Sequence, residues 1–176
     1  MTNNHPLLIY HSDSLLNAQI LEFLEIGIDN HEKCVLITSQ NDGNAFYQNL
    51  KNIKDTRRVV KLFSYFYVPD PIDFPFEFEE KLAKLVKLVL NDTFNGRIAF
   101  NVLCDISRYS PDLISKIQEI EKYIHSISNP NTKFLCTYKT GEKNDSLTNI
   151  LKIGYDIHDH IIKENDDDSI SEATLK

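Results

Sequence analysis

The stretch Cys34-Val35-Leu36-Ile37-Thr38 decides the fold class. It is an unbroken apolar run rich in β-branched residues, the pattern of a strand covered on both faces, as in a parallel sheet. Both flanks read as helices. Upstream, Leu16, Ile20, Phe23, Leu24 and Gly27 share a helical face, with Gly27 as the expected stop near Asp29 and Asn30. Downstream, Ala45, Phe46, Leu50 and Ile53 mark a short helix over 43–53. Further strands are expected at 7–10, 59–63, 98–103, 134–138 and 157–162. Two more helices are marked by the stripes Phe78, Leu82, Leu85, Val86, Val89 (ending near Asn95 and Gly96) and Leu113, Ile117, Ile120, Ile124, Ile127, the second opened by Ser110-Pro111; a short one is expected at 146–151. The segment 65–75 holds Pro69, Pro71 and Pro75 among aromatics, so a packed loop is expected there, with Phe63, Tyr65, Phe66 and Tyr67 packing the sheet edge or lining a pocket. Strands alternating with helices predict an α/β, three-layer fold with a mostly parallel central sheet.

Composition bounds the rest. A chain of 176 residues, 41% hydrophobic and 26% charged with 5 Gly, suits one ordinary globular domain rather than a disordered, collagen-like or disulfide-stapled one. No run approaches the ~18 apolar residues of a membrane span, and residues 1–6 lack a signal pattern, so a cytoplasmic protein without membrane contact is expected. A net charge of −7 argues against direct nucleic-acid binding. The domain is expected to span 1–163, and 164–176, with five acids against one lysine, to be a disordered acidic tail. Cys34, Cys104 and Cys136 each sit in an apolar run without CxxC spacing, which predicts buried, reduced thiols.

In such a sheet ligands bind beyond the carboxyl ends of the strands. Those ends supply the candidate binding residues His11, Ser12, Asp13, Ser39, Asp105, Arg108 and Tyr138. The first strand–helix turn has no glycine or lysine, and Asp13 would repel an anion there, so a phosphate loop of the GxxxxGK[ST] kind is missing. Asp105 ends an apolar strand in the manner of a magnesium-orienting aspartate, although it also suits a turn cap with Ser107. His158-Asp159-His160 would place two imidazoles on one strand face, but no third ligand stands at a recognisable spacing. His11 has no Ser or Cys nucleophile motif beside it. No catalytic residue, metal or cofactor is therefore expected.

Two segments carry a resemblance. The stretch 23–38 (FLEIGIDNHEKCVLIT) resembles KaiC-type RecA-like ATPases, and 102–110 (VLCDISRYS) is similar to their Walker B strand and the residues just after it. A closer resemblance is to the MEDS domain, the sensory domain of DcmR-type regulators and a RecA-like relative lacking the phosphate loop. It rests on Leu8-Ile9-Tyr10, Phe23-Leu24, Gly27, the run 134–138 and His160-Ile161-Ile162, in an order spanning 7–163. The resemblance implies a RecA-like fold and a non-catalytic sensory module for signal transduction or transcription regulation. Where the ATPases carry catalytic glutamates, this chain has Ser39-Gln40-Asn41-Asp42, so no enzyme activity is expected. With no DNA-binding or kinase region recognisable, the signal would pass through a protein partner or self-association, with a small-molecule ligand as input. The alternatives are a nucleotide-binding ATPase relative with a rebuilt site, a hydrolase using His11 and Asp105, and a scaffold pairing with an intact ATPase.

Overall fold

Strands and helices interleave from Pro6 to Lys139, with two helices in succession between the second and third strands. The computed structural model describes residues 5–70, 72–89, 94–101, 110–127, 131–139, 155, 158–165, 167 and 169–174. The elements are β1 (Pro6–Tyr10), α1 (Asp13–Asp29), β2 (Lys33–Thr38), α2 (Gln40–Ile53), α3 (Thr56–Leu62), β3 (Phe63–Tyr67), α4 (Pro75–Val89), β4 (Gly96–Asn101), α5 (Pro111–Ile127), β5 (Thr132–Lys139), β6 (His160–Glu164) and β7 (Ile170–Thr174). One seven-stranded sheet runs in the order β3-β2-β4-β5-β1-β6-β7, parallel except for the last pair. From β1 the chain skips two positions to β2, adds β3 outside it, fills the gap with β4 and β5, and crosses β1 to reach β6.

Alternation along the strands sorts the core into two layers. Leu7, Ile9, Val35, Ile37, Ile98, Phe134 and Cys136 face Phe78 and Leu82 of α4 and Leu113 and Ile117 of α5. Leu8, Tyr10, Cys34, Leu36, Ala99 and Leu135 face Leu16, Ile20, Leu24 and Ile28 of α1 and the apolar sides of α2 and α3. Helices on both faces explain the consecutive buried apolar residues of β1, β2, β4 and β5. The α/β, three-layer architecture with a mostly parallel sheet is the one expected.

Four details differ from the sequence reading. Residues 59–62 belong to a helix, and the third strand begins at Phe63. Asp55 caps that helix by accepting from the Arg58 amide at 3.0 Å, while Val59 and Leu62 turn inward and Val60 stays 61% exposed, a period of three that the adjacent β-branched Val59 and Val60 concealed. Strand β3 therefore takes in Tyr65, Phe66 and Tyr67 at the sheet edge, and the loop shortens to the residues after it.

Gly27 does not stop α1. The helix runs on to Asp29, and a Cβ at 27 would lie 2.4 Å from Cys34 Sγ and 2.7 Å from Arg97 Cδ, so the glycine lets the helix lie close on the sheet. The stop is a Schellman turn: Glu32 N donates to Gly27 O at 2.8 Å and His31 N to Ile28 O at 3.2 Å, with His31 in the left-handed region at φ 61°. Gly96, expected as a helix cap, instead opens β4, where a Cβ would fall 2.1 Å from the Lys33 carbonyl oxygen.

Within the expected disordered tail, Glu164 and Ile170–Thr174 belong to an edge hairpin. Strand β7 pairs antiparallel with β6, and Asp167 makes the reversal by accepting from the Ser169 amide (3.1 Å) and hydroxyl (2.5 Å). An edge strand needs only its backbone to pair, so an acidic sequence that buries no side chain can still be ordered there. The boundary at 163/164 thus cuts through β6. The expected helix at 146–151 lies outside the described residues. No helix among those described is long and apolar enough to cross a membrane.

Candidate functional site

The carboxyl ends of β1 to β5 open on one side into a cleft of about 330 Å³. Its polar lining is Asp13, Asn17, Ser39, Asp42, Asp70, Asn101 and Lys139, with Tyr10, Leu16 and Val68 as apolar walls. Six of these seven polar groups are held locally. Ser39 caps α2, accepting from the Asp42 amide at 3.2 Å and donating to Asp42 Oδ2 at 2.8 Å. Asn101 at the end of β4 donates to the buried Thr38 Oγ1 at 3.2 Å. Asp70 folds the turn after β3, accepting from the Ile72 amide at 2.8 Å. Lys139 Nζ pairs with Asp13 Oδ1 at 2.7 Å. Three acids, Asp13, Asp42 and Asp70, against the single Lys139 make the lining acidic.

Beside the cleft lies the β1–α1 turn, the place where a strand–turn–helix unit offers its amides to an anion. Here those amides hold a carboxylate of the chain itself. Glu164, the last residue of β6, accepts from the amides of His11 at 2.7 Å and Ser12 at 2.8 Å through Oε2, and from the Ser12 hydroxyl through Oε1. Its side chain is 4% exposed, and His11 Nδ1 stands 3.2 Å from the same oxygen. Burial would raise this carboxyl, but the hydrogen bonds from Ser12 and from the His11 amide outweigh it and hold Glu164 below the usual carboxylate range. Ser12 also caps α1, accepting from Leu15 N at 3.3 Å, so a single hydroxyl serves helix and carboxylate together.

Of the residues expected at the site, Asp13 and Ser39 line the cleft and His11 and Ser12 form the turn beside it. Tyr138 does not reach it. Side chains alternate along β5, so Tyr138 points into the core and donates to buried Glu121 on α5, while Lys139 beside it in sequence turns to the cleft. Burial lifts the Glu121 carboxyl to about 7 against the opposing hydrogen bond from Tyr138. Asp105 and Arg108, and with them the His11–Asp105 pairing, lie outside the described residues, as does Cys104. Cys34 and Cys136 are buried free thiols, as expected, and burial pushes Cys34 up to about 12. Sequence reasoning missed Glu164, which composition had assigned to the tail; the signal was its place closing the strand run 160–164. It also missed Asp70, whose Pro69-Asp70-Pro71 setting marks a fixed turn at the end of β3.

The chain is similar to the RadB recombinase, with a TM-score of 0.65 at 12% identity over 92% of this chain and 74% of that one. The fold is RecA-like. A second neighbour is a prototypical ATPase from the type III secretion system of pathogenic bacteria, with a TM-score of 0.57 at 10% identity, over 98% of this chain but only 57% of that one. No protein family and no curated protein sequence matches the chain. At these identities the likeness is one of fold. It nevertheless corrects the expectation of a chain apart from enzymes, because the architecture is the one on which a recombinase and an ATPase are built.

Proposed function

We propose that the chain is a RecA-like sensory domain of the MEDS type, working in the cytoplasm, whose cleft takes a small polar ligand that is neutral or cationic. The observation that carries this reading is the Glu164 carboxylate seated on the His11 and Ser12 amides. A phosphate brought to that turn would meet a negative charge where it needs donors, and the acidic lining of the adjacent cleft disfavours it again. The absence of the glycines and lysine of a phosphate loop supports the same reading. The response passes to a protein partner or a second copy of the chain, in signal transduction or transcription regulation.

The test is calorimetry of the full chain with magnesium-ATP and magnesium-ADP, beside thermal-shift measurements with putrescine as a cationic probe. The expected result is no nucleotide heat and a shift with putrescine that weakens in Asp42→Asn and Asp70→Asn. Micromolar nucleotide binding, about −8 kcal/mol, would overturn it. That outcome favours the second reading, a nucleotide-binding ATPase relative with a rebuilt site, which the RecA-like fold supports.

A further inference from the structure

The face of the sheet covered by α4 and α5 holds a trio that the cleft does not use. His5, Cys136 and His158 are 3%, 3% and 1% exposed. Strand register brings them together: His5 directly precedes β1, Cys136 stands opposite Leu7 on β5, and His158 lies two residues before His160, which pairs with Pro6. His5 Nε2 is 3.3 Å from Cys136 Sγ, the two imidazole centroids are 4.4 Å apart, and one donor atom from each residue lies within 4.8 Å of the other two.

We infer that His5, Cys136 and His158 form a binding site for a zinc ion at the amino end of β1, separate from the cleft. A tetrahedral zinc with bonds of about 2.3 Å to sulfur and about 2.0–2.1 Å to nitrogen holds its donors about 3.3–3.6 Å apart. The His5–Cys136 distance already satisfies this, and side-chain rotation closes the remainder. Two imidazoles and a thiolate suit zinc or cuprous ion and not magnesium or calcium, which take oxygen. On binding, the Cys136 S–H bond breaks, a zinc–sulfur bond forms and the proton passes to solvent, while both imidazoles bind neutral. Three protein ligands leave the fourth position for water or a small donor. The residues from His5 to Tyr10 put about 16 Å of strand between this site and the cleft. His160, the other half of the His-x-His pair, is drawn away by Glu172 on β7 at 3.4 Å, so the pair is split between a buried ligand and an edge contact.

The experiment uses the full chain, tag removed and treated with chelator, titrated with Co²⁺ as spectroscopic probe and then with Zn²⁺. The expected result is one Co²⁺ per chain with the ligand-field bands of a four-coordinate ion and a sulfur-to-cobalt charge-transfer band, both abolished by Zn²⁺. Cys136→Ser removes the charge-transfer band, His158→Gln weakens Co²⁺ binding at least tenfold, and Cys34→Ser leaves the spectrum intact. Far-ultraviolet circular dichroism confirms that each variant is folded. A spectrum without the charge-transfer band, one that survives Cys136→Ser, or uptake of Cu⁺ but neither Co²⁺ nor Zn²⁺ would overturn the zinc assignment. Nucleotide binding at the cleft has no bearing on any of these readouts.

Discussion

Glu164 is the residue on which the β1–α1 turn depends, since it satisfies two backbone amides and a hydroxyl that would otherwise compete for water. Glu164→Gln keeps the shape and loses the charge, and should lower stability by about 1–3 kcal/mol in chemical denaturation. The sign with pH is set by its lowered pKa. A depressed carboxylate stabilises the fold above the ordinary value of 4.5, and that contribution disappears as pH falls through the lower folded value. Thermal melts of the parent chain should therefore fall off below 4.5 more steeply than those of the Gln variant; parallel curves would show that the carboxylate carries no such linkage. His31 offers a change of the opposite sign. It is exposed and holds a left-handed backbone conformation, so His31→Gly should stabilise by about 0.5–1 kcal/mol, read as a raised Tm.

At the scale of elements, β6 and β7 behave differently although they form one hairpin. Every residue of β7 is exposed, while β6 is pinned to β1 and ends in Glu164. Truncation after Asn165 should cost within about 1 kcal/mol. Truncation after Lys163 should cost clearly more, because it also releases the turn amides. Equal losses would mean that the hairpin, and not Glu164, is what matters. The same contrast explains what could be read from the sequence. Strands β1, β2, β4 and β5 were legible because both faces are buried and each carries a run of consecutive apolar residues. Helix α3 was not, since Val59, Val60 and Phe63 carry strand propensity and only the Asp55 cap and the three-residue spacing of Val59 and Leu62 favour a helix. Strand β7 was invisible because edge pairing leaves no mark on side-chain composition. Within the site, Asp13 and Ser39 were legible as residues following strand ends, whereas the inward turn of Tyr138 and the capture of Glu164 depend on which partner each strand receives.

For the whole molecule, the order β3-β2-β4-β5-β1-β6-β7 predicts a gradient of protection from hydrogen exchange. Amides of β2, β4, β5 and β1, with neighbours on both sides, should exchange at the slowest rates, β3 faster and β7 fastest. Uniform protection across the sheet would contradict that gradient. The fold and its layers were thus readable from periodicity, while strand order was not, because no local pattern states which strand will sit beside which. That order also sets a timetable for biosynthesis. β1 leaves the ribosome well before its partners on either side, which begin at Thr132 and His160. At about 5–20 residues per second β1 waits roughly 6 to 30 s for them. Its run Leu7-Leu8-Ile9 lacks both strand neighbours through that interval, so the nascent chain depends on chaperone cover until β5 and β6 have been made.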